Sequence, residues 1–448
     1  MGSKATVIVF LVCLCAAFIV AAVSASPATT RSSLKPPVGF AIEAGKAGNP
    51  LAEYVELLKH EQDYANSDEF RDLYYDIRGT RASFLGDQRA AQTSFDVIEQ
   101  NHSPKPITKH RIDDMRPCNA AEYILSVADQ HQVIMLSERH HVPQTRIVSL
   151  QLLQGLWDKG FRYLALETLD NRPATMDSKL NQRAYPTLDT GFYTQEPLFG
   201  EMVRQARKIG FKVIGYEAVA GLDAPNDPEN PNKRQNIRER EEAENLKKNI
   251  LDKDPGAKIF VHCGMGHASK HEGKNPPGEK GEPWIAMARW FWQISGIEPY
   301  TIDEQSDIFA RSKPELESGL YRYVEGKGLL QRPTIFVDKT DQPYTMLPNS
   351  YDVTIFLPRP SYVHGRPDWL QTVLGRTPAP IPEKMLKGQG LQLVQAFYTD
   401  EPDNAVPVDQ ILVKPGEEVP VLMLPHGEFR VRTWDETGKV IATDKLKV

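Results

Sequence analysis

The sequence predicts an α/β protein: a mostly parallel sheet flanked by helices, with a helical N-terminal extension and a small C-terminal β-sandwich-like module. Three observations carry this. From Ala120 to about residue 360, short apolar runs alternate with segments of helical length and periodicity. Those runs are apolar throughout, as strands buried on both faces must be, and their helical connections imply right-handed crossovers. Beyond residue 385 the texture changes to period two around glycine-containing turns.

The elements follow in order. Lys4, the run Ala5 to Val23 that is apolar apart from Thr6, and the small residues Val23-Ser24-Ala25 predict a cleaved signal peptide over 1–25. The protein is therefore expected to be exported, periplasmic or secreted, with membrane anchoring by an uncleaved N-terminus as the alternative. Residues 26–117 form a partly helical extension: a Pro/Ser/Thr-rich lead-in, a helical stripe of Leu51, Tyr54, Leu57 and Leu58, and a polar, irregular stretch over 85–118.

The core spans 118–375. "AAEYILSVADQHQ" reads as a helix and "VIMLSE" as a buried strand. "TRIVSLQLLQGLWDKG", "EPLFGEMVRQARKIG", "NIREREEAENLKKNILDK" and "PWIAMARWFWQISG" read as helices. They alternate with the strands "YLALET", "KVIGYEA", "KIFVHCG" and "YTIDE". "TIFVDK" and "YDVTIFLP" read as further strands. The Pro-rich stretch over 376–385 is expected to be a stiff linker, and 386–448 the all-β module. No internal repeat is visible.

Composition bounds the function. Of 448 residues, 40% are hydrophobic and 25% charged, and the net charge of -6 supplies no basic field for nucleic acid. No later segment reaches membrane-spanning length, so no transmembrane span is expected once the signal is removed. Cys118 and Cys263 are the cysteines left after it, which excludes a small disulfide scaffold. Cys263 lies in an apolar run and reads as a buried thiol.

In a parallel sheet, ligands bind beyond the carboxyl ends of the strands. Here four such ends finish in acids or histidines. The first releases Glu138, His140 and His141; the second Glu167; the third Glu217; the fourth His262 and, across a Gly-Met-Gly turn, His267. Side-chain alternation puts Glu138 and His140 on one face and sends His141 away. Arg146 opens the next helix at this edge and is a candidate clamp for a carboxylate or oxyanion. His262, mid-strand, also reads as a satisfied core histidine. Most of "NIREREEAENL" is a solvated face, with Arg238 the member set toward the site.

The order "SERHHVPQTR", "ALET", "REREEAEN" and "VHCGMGHASK" resembles the superfamily of ChaN-like proteins, erythromycin esterases and TIKI proteases over about residues 118–360. Ser137 stands where that pattern usually has Gly, and Glu242 where it often has Met. Matching residue by residue selects Glu138, His140, Glu167, Arg238 and His267. The resemblance implies hydrolysis of an ester, lactone or amide in a small-molecule or peptide substrate, with no serine nucleophile; no Gly-x-Ser-x-Gly elbow is present. In physical terms, a neutral imidazole takes a proton from water, Glu138 or Glu167 orients it or stabilises its cation, and Arg146 or Arg238 together with His267 stabilises developing oxyanion charge. A divalent metal such as Zn or Mn on His140, Glu167 and His267 is the second version of that chemistry. Haem or metal binding without catalysis, as in ChaN-like relatives, is the alternative class.

Overall fold

A computed structural model describes residues 34–37, 39, 50–99, 107–169, 171, 176–219, 227–273, 280–306 and 309–448; the expected signal segment lies outside them. From Pro50 onward the described residues form helices α1 (Pro50–Lys59), α2 (Glu61–Ala65), α3 (Arg71–Phe84) and α4 (Gln88–Ile98). The last of these corrects the expectation of an irregular stretch over 85–118. The Asp87 carboxylate caps it by accepting the Ala90 N–H at 3.2 Å. Its apolar stripe is narrow, with Ala91 and Phe95 the buried hydrophobic residues, so the pattern is faint in sequence.

The core continues as β1 (Arg116–Asn119), α5 (Ala120–Val127), β2 (Val133–Ser137), α6 (Arg146–Asp158), β3 (Phe161–Leu166), α7 (Pro197–Ile209), β4 (Lys212–Gly215), α8 (Lys233–Leu246), β5 (Lys258–Cys263), α9 (Met287–Ser295), β6 (Tyr300–Asp303), α10 (Gly319–Gly326), β7 (Thr334–Val337) and β8 (Val353–Thr354). Six strands form one sheet in the order β4-β3-β5-β2-β6-β8, and every pairing in it is parallel. The strand expected at "TIFVDK" is β7, but it stands outside this sheet and pairs antiparallel with β1.

Alternation divides the core into two layers. Ile134, Leu136, Leu164 and Phe260 pack with Leu152, Leu153, Phe199 and Val203 of α6 and α7. Met135, Ala165 and Val261 pack with Ala243, Leu246, Met287 and Phe291 of α8 and α9. The sheet is thus covered on both faces, and its carboxyl edge is the place left for chemistry.

The remainder runs through β9 (Tyr362–Val363), β10 (Arg366–Pro367), α11 (Trp369–Thr372), β11 (Thr377–Ala379), β12 (Gln392–Tyr398), β13 (Asp409–Val413), β14 (Leu422–Leu424), β15 (Glu428–Asp435) and β16 (Val440–Lys447). A four-stranded antiparallel sheet, β13-β12-β15-β16, accompanies a two-stranded one, β11-β14. The stretch expected to be a linker is therefore part of the fold: β11 pairs with β14, and Ala379, Ile381 and Met385 are buried among the module's own residues. Nor does the module hang free. Leu393 and Leu412 pack with Leu51, Tyr54 and Ala82. Glu401 takes a two-pronged hydrogen bond from Arg204 on α7, at 2.7 and 2.6 Å. No helix of the described residues is long and apolar enough to cross a membrane.

Helices α3 and α4 lie across the carboxyl edge of the sheet. The Phe95 ring stacks on His141 with centroids 3.3 Å apart and planes 6° apart. Glu99 pairs with Arg139 at 2.7 Å, and Asp96 with Arg311 at 2.6 Å.

Candidate active site

The strands end level with one another. Ser137 is in register with Cys263 and with Asp303, and Leu166 with His262. One residue further, backbone bonds still tie the row together. Glu138 N–H donates to Cys263 O at 2.8 Å, Glu167 N–H to His262 O at 3.2 Å, and Glu304 N–H to Ser137 O at 3.2 Å. Glutamates from β2, β3 and β6 thus stand along one edge.

Glu138 is the most heavily bonded of them. Arg146 grips it with Nε at 2.8 Å and Nη2 at 2.9 Å, His140 Nδ1 lies at 2.8 Å and His262 Nε2 at 3.0 Å. Burial alone would raise its pKa; Arg146, His262 and His140 overcome that and hold it well below the usual carboxylate range. An ionised Glu138 makes His140 Nδ1 the donor, so a neutral His140 presents the Nε2 lone pair on its other side. The His140 ring is fixed by stacking on Tyr193, with centroids 3.6 Å apart and planes 14° apart.

Arg146 does not serve as the expected oxyanion clamp. It is fully buried, and its Nη1 is taken by Glu196 at 2.9 Å and its Nη2 also by the His140 carbonyl at 3.0 Å. Its role is to hold Glu138 ionised and in place. His262 is likewise a support: Ser149 Oγ lies 2.9 Å from its Nδ1, and its Nε2 faces Glu138. His141 is pressed against Phe95.

A second cluster forms around Glu167. Its Oε1 receives Arg238 Nη2 at 3.0 Å and lies 3.4 Å from His267 Nε2, while its Oε2 accepts the Gly264 N–H. Burial opposes ionisation, but His267, His140 and Arg238 keep this carboxyl well below its ordinary value. His267 Nδ1 points at Glu239, 2.9 Å away, and Glu242, 3.2 Å away. Burial disfavours its charge, yet Glu239, Glu242 and Glu167 raise its pKa well above that of free imidazole. His267 is thus an imidazolium, a support for Glu167 rather than a base. Two carboxylates share this one cation. Glu239, which also accepts Met287 N–H at 2.7 Å, stays ionised, and burial pushes Glu242 up to about 8 against the pull of Arg238. Arg238 is anchored from outside by Glu217 at 3.0 Å.

The two clusters meet at Gly264. His140 Nε2 and Glu167 Oε2 are 3.9 Å apart. A Cβ at Gly264 would stand 2.2 Å from the first and 2.8 Å from the second. Glycine here is a matter of space.

The metal set expected from sequence does not converge. Among the described residues, the donors that do are Glu239, Glu242 and His267, whose ligand atoms lie within 4.8 Å of one another. They fit an ion poorly: Arg238 brings its guanidinium to 3.0 Å from Glu242 and 3.2 Å from His267, and the Nδ1 proton already serves Glu239. The cluster is electrostatically complete as an ion-pair network.

Sequence reading missed Glu304, although "YTIDE" ends in acids as the other strands do. It is fully buried, and neither side-chain oxygen has a hydrogen-bond partner among the described residues. Burial, then the charges of Glu138 and Asp303, push its pKa well above 4.5. The folded state therefore keeps a proton that the unfolded chain loses above pH 4.5, so folding becomes costlier as pH rises, by about 1.4 kcal/mol per pH unit until the folded-state value is reached. Glu304→Gln removes that cost. Its melting temperature is expected to exceed wild type more at pH 8 than at pH 5 in calorimetry; an equal difference at both would show Glu304 to be ionised in the fold.

No family model matches the chain, and no curated protein matches it. Solved structures do. The type III effector HopBA1 is 14% identical over 44% of this chain and 88% of its own, with a TM-score of 0.29. RRSP, a MARTX toxin effector domain from Vibrio vulnificus CMCP6, is 17% identical over 52% of this chain and 44% of its own, with a TM-score of 0.30. A structure described as bacterial protein toxins is 16% identical over 52% and 45%, with a TM-score of 0.27. The chain thus spans less than half the length of the latter two, and the distances among Glu138, His140, Gly264 and Glu167 are its own.

Proposed function

We propose that this chain is an exported hydrolase that cleaves an ester, lactone or amide by His140-assisted attack of water, in the manner of the ChaN-like, erythromycin esterase and TIKI superfamily. The observation that carries the reading is the 3.9 Å span between His140 Nε2 and Glu167 Oε2 over Gly264. One water spans such a gap, hydrogen-bonded to both. His140 Nε2 takes its proton as its oxygen bonds to the acyl carbon, and the imidazolium returns that proton to the departing oxygen or nitrogen as its bond to the acyl carbon breaks. Glu138, held by Arg146, fixes the ring and stabilises the imidazolium that forms. Glu167, kept ionised by His267 and Arg238, orients the water. The preorganised network costs no rearrangement during the reaction.

The test is a panel of esters, lactones and amides hydrolysed in ¹⁸O-labelled water. Direct attack puts one solvent oxygen into the acid product in a single turnover. Gly264→Ala, whose methyl displaces His140 or the water, is expected to lose about a hundredfold or more. A fully active Gly264→Ala, or an acid without solvent label in the first turnover, would remove the water site from between these residues.

A further inference from the structure

The C-terminal module takes no part in the chemistry above, yet one face of its sheet is built around arginine. Along β15, alternation sends Phe429 and Val431 into the module's core beside Ala442 of β16, and leaves Arg430 and Arg432 on the opposite face. The register puts Arg430 level with Phe397 on β12 and Lys445 on β16, and Arg432 level with Gln395 and Thr443. Phe397, Asp403, Arg430, Arg432, Thr443 and Lys445 are among the residues that line a cavity of about 460 Å³ on this face.

Arg432 is held rigidly. Its Cζ lies 4.4 Å from the Phe397 ring centroid and 5.0 Å from that of Trp434. Its Nε donates to Gln395 Oε1 at 2.8 Å, and the same oxygen accepts the Trp434 Nε1–H at 2.7 Å. Gln395 Nε2 in turn donates to Gln410 Oε1 at 2.6 Å, and Gln410 Nε2 to the Phe84 carbonyl at 2.7 Å. This chain of bonds fixes the guanidinium plane and leaves its Nη1–Nη2 edge over. Among the described residues, neither of those nitrogens has a hydrogen-bond partner, and no carboxylate pairs with Arg432.

The charges on this face do not cancel. Arg430 stands directly across from Lys445, and like charges so placed cost stability. Asp403 pairs with Arg430; among the described residues, Lys445 has no such partner. Burial pushes Arg432 down to about 10, with Asp403 opposing and Arg430 adding to the push. Arg78, Arg146 and Arg359, which face carboxylates, are shifted the other way. Arg432 and Lys445 are diagonal neighbours on adjacent strands, about 7–8 Å apart at Cα. A guanidinium preset in one plane offers two parallel donors to a planar anion, whereas an ammonium is a point charge that takes an anion from any side.

We propose that this cavity binds a small dicarboxylic acid, with one carboxylate held two-pronged by Arg432 Nη1 and Nη2 and the other by Lys445 Nζ. The site is independent of the hydrolytic reading: it shares no residue with the strand-end row.

Isothermal titration of the full chain with glutarate, propionate and sulfate at constant ionic strength tests the assignment. Glutarate is expected to bind saturably, and about tenfold or more tightly than propionate, which lacks the second carboxylate, or sulfate, which is tetrahedral. Arg432→Gln and Lys445→Gln are each expected to weaken glutarate by about tenfold or more. Should Arg432→Gln not fold, Arg432→Lys is read in the same way, since it keeps the charge and loses the paired donors. No saturable binding of glutarate, or an affinity unchanged in the Arg432 variant, overturns the site. Propionate or sulfate bound as tightly as glutarate overturns the assignment to a dicarboxylic acid.

Discussion

His140→Ala is expected to lose hydrolytic activity by about a thousandfold or more with its fold intact, whereas His141→Ala is expected to lose stability and keep most of its activity. A positioned general base contributes about 10² to 10⁴ in rate. His140 is the histidine with a carboxylate behind one nitrogen and Glu167 beyond the other. His141 cannot replace it. It is almost wholly buried, and burial, then the charge of Arg139, holds its pKa well below that of free imidazole. What it contributes is a flat surface for Phe95, and through Phe95 the seating of α3 and α4. Removing a stacked, buried ring costs about 2 kcal/mol or more. Kinetics on a panel substrate and thermal melts of both variants decide. An inactive, stable His141→Ala beside an active His140→Ala would exchange the two roles and put the water on the other side of the strand end.

The same residues show what the sequence made legible. An apolar strand that ends in a carboxylate marks the carboxyl edge of a parallel sheet; β2 itself stops at Ser137, so the turn that carries His140 and His141, and not alternation along an extended strand, sets the two rings apart. These are local regularities. The partner of Arg146 is not local. Glu196 lies fifty positions on, at the start of α7, and no pattern around Arg146 announces that it is already spoken for. Glu239 and Glu242 read as a solvated face because their helix is highly charged; burial against His267 and Met287 becomes visible in three dimensions. The Pro-rich stretch looked like a spacer because proline cannot donate a ladder hydrogen bond. β11 tolerates Pro378 as an edge strand with a single partner, β14. Glu304 was within reach, since "YTIDE" obeys the rule that selected the others.

Arg146→Met is expected to give the largest loss of stability, about 3–5 kcal/mol at pH 7. Arg146 is fully buried between Glu138 and Glu196, and its removal leaves two buried carboxyls without their cation. Glu196 is the easier to neutralise, for burial already pushes it upward against the pull of Arg146, and it keeps the Leu198 and Phe199 N–H groups at 2.9 Å. Glu138 bears the loss. With Arg146 present its folded-state pKa is depressed, so the network adds stability above pH 4.5 and gives it up as pH falls through the folded value. Without Arg146 the main force holding that pKa down is gone, and the carboxyl must fold protonated or as an uncompensated anion. The deficit of the variant relative to wild type is therefore largest at neutral pH and shrinks on acidification toward pH 4.5. Adding Glu138→Gln to Arg146→Met should restore part of the loss at pH 7, because it deletes the stranded charge. Denaturant unfolding of the single and double variants at pH 7 and 4.5 gives the comparison. A deficit that is the same at both pH values, or a double variant worse than the sum of the single ones, would mean that Arg146 acts by filling space against Phe199 rather than by charge.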